Sequence, residues 1–426
     1  MTLDLNARLK IERLAARGEG VSRDVRGIVF TPYALPGETI LAEVDGERGK
    51  LVEVLDASPD RVAPICPLYA ECGGCAVQAL KHEAYLAWKR ELLAEALRAA
   101  RLETDVPSCV DAHGAGRRRA VFHARIDARG RATTGFMRAR SHEIIAIDAC
   151  PLFAPGLAKA PVAARALAQA LADLAKPLDI AATATDAGLD IDIRGAGKLD
   201  FDLTQTLIAL AADHDLARLS NHGVTLIERR QPLLSIGRAK IAPPAGGFLQ
   251  ATEAGERTLA DLVLTELSGE KRIADLFAGV GTFALRLAER ADVHAVEQDQ
   301  AALTALSKAA RNAQGLRRIT TEARDLFKRP LLRSELAGYD AMVFDPPRAG
   351  AEAQARELAG SDVPLVLAVS CNAQTFARDA RLLVDGGYTL ERATPVDQFR
   401  YSAHIETVGV FRRAARKKAK KGLLSR

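Results

Sequence analysis

Short aliphatic runs at 272–277, 292–297, 317–321, 339–344, 364–370 and 387–393 alternate with helix-length amphipathic stretches, and a last run falls at 404–411. Strands in that rhythm bury both faces only as a doubly wound, mostly parallel α/β sheet with helices on either side. Such sheets gather reactive groups at the carboxyl ends of their strands, near the point where the strand order reverses.

The first run ends in Asp275-Leu276-Phe277-Ala278-Gly279-Val280-Gly281-Thr282-Phe283 and opens a helix. Glycines at 279 and 281 let backbone approach a ligand closely, but the full G-x-G-x-x-G of dinucleotide folds is missing. The second run ends in Glu297, where a carboxylate can hold a ribose diol, and the third is followed by Arg324-Asp325, placed to meet an adenine. A glycine turn and two acids at successive strand ends fit a nucleoside cofactor, most simply S-adenosylmethionine. A NAD-type fold is the competing reading.

The later ends carry different chemistry. Asp345-Pro346-Pro347-Arg348 follows the fourth run and Ser370-Cys371-Asn372 the fifth. In methyltransferase sheets the last strand runs antiparallel, so Glu406 joins the same edge. A thiol and a carboxylate beside a methylsulfonium suggest methylation at uracil C5. That carbon is a poor nucleophile until a thiolate adds at C6. A carboxylate must then take the C5 proton so that the thiol can leave.

Upstream, residues 1–60 read as a small, glycine-punctuated β unit, a size that often forms barrels binding oligonucleotides. Cys66, Cys72 and Cys75 follow at C-x5-C-x2-C, and Cys150 can complete a shell of four thiolates. Four thiolates suit either an iron–sulfur cluster or tetrahedral zinc. Cys109 stands apart as an ordinary thiol. A helix is expected over 78–100, an alanine-rich one over 157–175 and another over about 253–267, with strands over 189–193 and 224–229. Arg117-Arg118-Arg119 and the stretch Thr134 to Arg140 read as charged strands able to grip phosphates, with a salt-bridged surface as the plain alternative. The net charge is only +5, yet Arg412 to Lys421 holds seven Lys or Arg and no acid.

Taken together, these motifs resemble the RNA uracil-C5 methyltransferases, and among them the iron–sulfur branch that modifies 23S ribosomal RNA. The shared features are C-x5-C-x2-C with Cys150, Phe248-Leu249-Gln250, Asp345-Pro346-Pro347-Arg348, Ser370-Cys371-Asn372 and His404-Ile405-Glu406-Thr407-Val408, in the family's order. The resemblance implies a 4Fe–4S cluster on Cys66, Cys72, Cys75 and Cys150, with Cys371 as nucleophile and Glu406 as the C5 base. It also implies S-adenosylmethionine contacts from Gln250, Phe277, Thr282, Glu297, Asp325 and Asp345. Ala373, Thr282 and Ala278 depart from the family's usual Pro, Asn and Cys, and none removes a group the chemistry needs.

The expected organisation is a TRAM-like β-barrel over 1–60 and a central α+β, RNA-contacting domain over 61–247. A methyltransferase domain over 248–412 and a basic tail over 413–426 follow. The alternating charges of Met1 to Ala15 predict no signal peptide, and no stretch is apolar enough to predict a membrane span. The expected protein is therefore a cytoplasmic monomer that acts on RNA. A tRNA uracil-C5 methyltransferase, or a non-catalytic RNA-binding protein on the same fold, is the competing expectation.

Overall fold

A computed structural model describes residues 4–24 and 27–413. The basic tail expected from 413 onward thus lies outside the described residues, except for Arg413 itself. That guanidinium sits over the Tyr388 ring, 4.2 Å from its centre, and donates to the Ala359 carbonyl.

The catalytic sheet holds the strands Arg272–Leu276, Asp292–Glu297, Ile319–Ala323, Ala341–Phe344, Leu365–Ser370, Tyr388–Asp397 and Glu406–Arg413. Counted along the chain as first to seventh, they lie in the spatial order third, second, first, fourth, fifth, seventh, sixth. The first five are parallel and the seventh is antiparallel to the fifth. Alternation along each strand builds two apolar layers. Ala341 and Val343 face the layer made with helices Glu253–Thr265 and Gln300–Asn312. Met342 and Phe344 face the layer made with Glu352–Ala359 and Ala373–Asp385.

Two earlier segments join this sheet. Helix His82–Ala99 buries Leu93, Ala96 and Leu97 in the second layer, and Val110–Asp111 pairs onto the sixth strand as an eighth. A cut at residue 248 therefore separates stretches of chain, not packed bodies.

The N-terminal strands form a six-stranded curled sheet between Asp4 and Asp56 around Leu9, Ile11, Val29, Ile40 and Ala42. A seven-stranded sheet from Arg119–Ile126 to Val224–Glu228 packs on helices Ala160–Ala170 and Phe201–Asp213. Ile144–Ala146 falls within the strand-forming stretch expected over 117–148, whereas Leu178–Thr185, Phe201–Asp213 and Arg218–Asn221 are not expected from the sequence. No described helix is long and apolar enough to cross a membrane.

Candidate active site

The glycine turn follows directly on the first strand. Phe277 takes a left-handed φ of 58°, and Gly279 and Gly281 continue at 53° and 97°. A Cβ on Gly281 would sit 2.4 Å from Leu306, whereas one on Gly279 would meet nothing within 4 Å. The two glycines thus differ in purpose: Gly281 admits the helix Gln300–Asn312, and Gly279 leaves open space above the turn. Gly279 N–H donates to Glu297 Oε2 at 3.0 Å, while Oε1 accepts from the N–H groups of Gln298 and Asp299. Asp325 accepts from Phe327 N–H at 3.0 Å and pairs with Lys328. Arg324 beside it is held by Glu322 and Glu335. The Phe327 ring, largely exposed, lies 5.4 Å from that of Phe277.

Beneath the turn, Asp275 is completely buried, and no side chain donates to either carboxyl oxygen, leaving the Ala284 N–H as the group that favours its charge. Burial pushes its acidity well away from the usual range, toward the neutral form, and the nearby Asp345 and Glu297 carboxylates push the same way. A buried acid without side-chain partners, facing other acids, fits a ligand that brings positive charge or donors. This carboxyl, the open turn and the ribose-type acid together fit S-adenosylmethionine.

The second half of the site comes from strand register. Ser370 pairs with Thr407 across the fifth and seventh strands, which carries Cys371, one residue on, across from Glu406, one residue back. Asp345 ends the adjacent fourth strand, so thiol and both carboxylates meet at one edge. Burial raises both Asp345 and Glu406, the Asp345 charge pushes Glu406 further the same way, and the hydrogen bonds from Gln250 and Gln398 pull against the rise. Cys371 is pushed up to about 11 by burial and then by Glu406 and Asp345, with Arg348 pulling the other way. Arg348 also donates to His404 Nε2 at 3.0 Å. Burial, with that guanidinium, brings His404 down to about 4, so its imidazole is neutral with the proton on Nδ1.

Several groups here lack any sequence signal. Gln398 donates to Glu406 Oε1 and Gln250 Oε1, and Gln250 in turn donates to Asp345 Oδ2 at 2.8 Å. Lys89 and Asp397 form a fully buried ion pair at 2.9 Å. Lys89 also donates to the His404 carbonyl, and Tyr85 donates to Asp397. Lys89 and Tyr85 lie more than 300 residues from Asp397 and His404, a separation no local pattern can reveal.

Cys66, Cys72, Cys75 and Cys150 line one cavity with apolar walls that include Phe136 and Ile147, and Arg117 borders it. All four are free thiols. Burial pushes Cys75 up to about 12, and raises Cys72 and Cys150 as well. Among the described residues, no three His, Cys, Asp or Glu side chains converge where one metal ion could bind. The loop beyond Cys75 is tied to the catalytic edge, because Ala76 and Val77 both donate to the Tyr401 carbonyl.

The arginine cluster divides. Arg118 is buried against Glu256, which it shares with Arg286, so its role is internal and not phosphate binding. Arg119 donates to the Leu249 carbonyl and lies 5.1 Å from the centre of the exposed Phe248 ring. Arg138 pairs with Glu143 and Glu71, and Arg140 with Glu19. The salt-bridged alternative therefore holds for Arg138. Arg140 still borders a groove of about 990 Å³ with Arg13, Arg17, Arg48 and Tyr33.

Comparison with known proteins adds four findings. A family model described as tRNA (Uracil-5-)-methyltransferase matches residues 247–415. An uncharacterised RNA methyltransferase of Brucella suis is 46% identical over 410 residues, 96% of this chain and 99% of that one. The 23S rRNA (uracil(1939)-C(5))-methyltransferase RlmD of Chromohalobacter salexigens is 35% identical over 94% of this chain and 88% of its own. Among solved structures, the Pyrococcus abyssi tRNA (uracil-54, C5)-methyltransferase with S-adenosyl-L-homocysteine superposes with a TM-score of 0.71. It covers 95% of this chain and 99% of that one at 20% identity, a likeness of fold.

Proposed function

The chain belongs to the RNA uracil-5-methyltransferase family, and on that premise we propose that it methylates C5 of a uridine in 23S ribosomal RNA through a covalent cysteine adduct. The observation that carries the chemistry is the meeting of Cys371, Glu406 and Asp345 at one sheet edge, set by the Ser370–Thr407 register. S-adenosylmethionine, when bound, supplies an electrophilic methyl group. Phe277, Thr282, Glu297 and Asp325 would hold its nucleoside end, Asp275 its charged end, and Gln250 and Asp345 the side that faces the base.

The target base must leave its stack to reach this edge. Cys371 Sγ, as thiolate, adds to C6, and the electron pair of the C5–C6 double bond shifts toward the C4 carbonyl. C5 would then take the methyl group as its bond to the donor's sulfonium sulfur breaks, that electron pair leaving with the sulfur as S-adenosylhomocysteine. Glu406 Oε2, buried without a partner, takes the C5 proton. The electrons of that C–H bond re-form C5–C6, the C6–S bond breaks, and Cys371 leaves as thiolate. Arg348 at the mouth offsets part of the negative charge that gathers here.

Cys66, Cys72, Cys75 and Cys150 would hold a 4Fe–4S cluster; four thiols around a single apolar cavity suit that donor set. With every iron ligated by protein, its contribution would be to stiffen the loop that reaches Tyr401. The groove beside Arg13, Arg17, Arg48 and Arg140, and the exposed Phe248 over Arg119, would take phosphates and unstacked bases.

Purified protein should methylate 23S ribosomal RNA fragments and leave tRNA unmodified. The reverse preference would replace the substrate assignment with a tRNA one. RNA carrying 5-fluorouridine should trap a covalent complex, since fluorine cannot leave as a proton. Trapping by Cys371→Ala would overturn the nucleophile assignment.

A further inference from the structure

Gln398 is fully buried at the centre of the catalytic edge, and its surroundings fix the direction of its amide. Its oxygen accepts from two backbone N–H groups, Ala251 at 2.9 Å and Thr252 at 3.4 Å. A flipped amide would set its NH2 against both donors and strand all of them, so the oxygen must stay on that side. The NH2 then points the other way. One bond reaches Gln250 Oε1 at 2.6 Å and the other Glu406 Oε1 at 3.0 Å.

The direction propagates. Gln250, its own oxygen occupied, can present only NH2 to Asp345, and it donates to Oδ2 at 2.8 Å. Glu406, held through Oε1, is left with Oε2 buried and free. Two backbone N–H groups at the start of helix Glu253–Thr265 thereby set the donor–acceptor polarity of four side chains.

Independent packing keeps the amide in place. A Cβ on Gly255, in the first turn of that helix, would lie 2.6 Å from Gln398 Oε1 and 2.7 Å from its Cβ. Thr252 caps the same helix by accepting from Gly255 N–H at 2.8 Å, and its hydroxyl donates to the Ala112 carbonyl. On the other side, Asp397 is tethered by Lys89 and Tyr85, so the backbone carrying Gln398 is anchored too.

We infer that Gln398 is a positioning residue for the methyl transfer: its amide holds Glu406 by Oε1, leaves Oε2 to receive the C5 proton, and orients Gln250 toward Asp345. The inference rests on the reading of Glu406 as the C5 base. A hydrogen bond donated to Oε1 favours the carboxylate over the acid, against burial and the neighbouring Asp345, and the positive charges of Lys89 and Arg348 act in the same direction. Gln398 therefore matters most in the last step, when Glu406 must be ionised to accept a proton. Addition of Cys371 to C6 depends on it less.

The test separates those two steps. Gln398→Met keeps bulk and removes the hydrogen bonds; Gly255→Ala presses on the same amide from the helix side. Adduct formation is read with 5-fluorouridine RNA, and completed turnover with tritium release from 5-tritiated uridine RNA, both across pH. For Gln398→Met, adduct formation should stay near the wild-type rate while tritium release falls roughly ten- to hundredfold, the worth of one hydrogen bond to a charged group. The pH at which release is half-maximal should move upward, and methylated adduct should accumulate. Gly255→Ala should shift the same profile in the same direction.

An unchanged release rate and pH profile in Gln398→Met would overturn the inference. So would equal loss of both steps with an unmoved pH profile, the mark of a merely structural defect. Glu406→Gln run alongside tests the premise: arrest at the methylated adduct keeps it, whereas free turnover overturns the base reading and this inference with it.

Discussion

The Cys371 thiol should be a sluggish nucleophile in the ligand-free protein, and the structure sets how sluggish. Burial and the two carboxylates push it up to about 11. At a pH of about 8, ~0.1% of such a thiol is ionised, against roughly a quarter of an ordinary cysteine with a pKa of about 8.5. A more basic thiolate is intrinsically more reactive, which recovers about an order of magnitude. Alkylation of Cys371 by iodoacetamide should therefore run roughly twentyfold slower than for an exposed cysteine at that pH. The rate should climb about tenfold per pH unit and keep climbing to about pH 10. Following the Cys371 peptide by mass spectrometry, with denatured protein as the reference, gives both numbers.

Glu406→Gln adds a sign test. Its charge is among the causes that hold the thiol up, so removing it should lower the Cys371 pKa and speed alkylation. Because burial and Asp345 keep Glu406 itself protonated well beyond the usual range, the effect should appear only in the alkaline limb. At neutral pH, variant and wild type should react alike. A rate that levels off below about pH 9 would mean an ordinary thiol and refute the burial argument. A slower alkaline reaction in Glu406→Gln would refute the charge argument.

Other consequences are as direct. Lys89→Met leaves Asp397 without its ion-pair partner in a fully buried site, which should cost about 3–5 kcal/mol of stability, measured by urea denaturation; adding Asp397→Leu should recover part of it. Glu297→Ala removes the carboxylate expected on the ribose, and should raise the KM for S-adenosylmethionine at least roughly tenfold while the RNA KM holds. Cys150→Ser should abolish the broad absorption near ~400 nm of anaerobically purified protein and its bound iron, as for a cluster losing a ligand. Stoichiometric zinc in the wild-type protein would replace that assignment.

How much of the site is readable in the sequence follows from how each group is positioned. Cys371, Asp345 and Glu297 stand at or just past strand ends, where an aliphatic run stops, so periodicity marks both the strand and its terminus. Glu406 is readable once the last strand is taken as antiparallel. The polar framework beneath them obeys no such rule. Gln398 belongs to Val396-Asp397-Gln398-Phe399, an unremarkable run, yet its partners are Gln250 and the N–H groups of residues 251 and 252, nearly 150 positions away in the chain. Lys89 falls on the apolar stripe of its helix, one turn from Tyr85 and Leu93, and the stripe says nothing of Asp397, which pairs with it there. Arg118 misleads: within a basic triplet it reads as surface charge, and Glu256 draws it inside. Such pairs tie the catalytic edge to the segments before residue 248. Helix His82–Ala99 delivers Lys89 to the loop that ends at Glu406, and the chain beyond Cys75 is held by Tyr401 in that same loop. The catalytic edge is thus completed by chain from outside its own sheet, and a fragment of residues 248–412 alone would lack Lys89, Tyr85 and the contact to the cysteine loop.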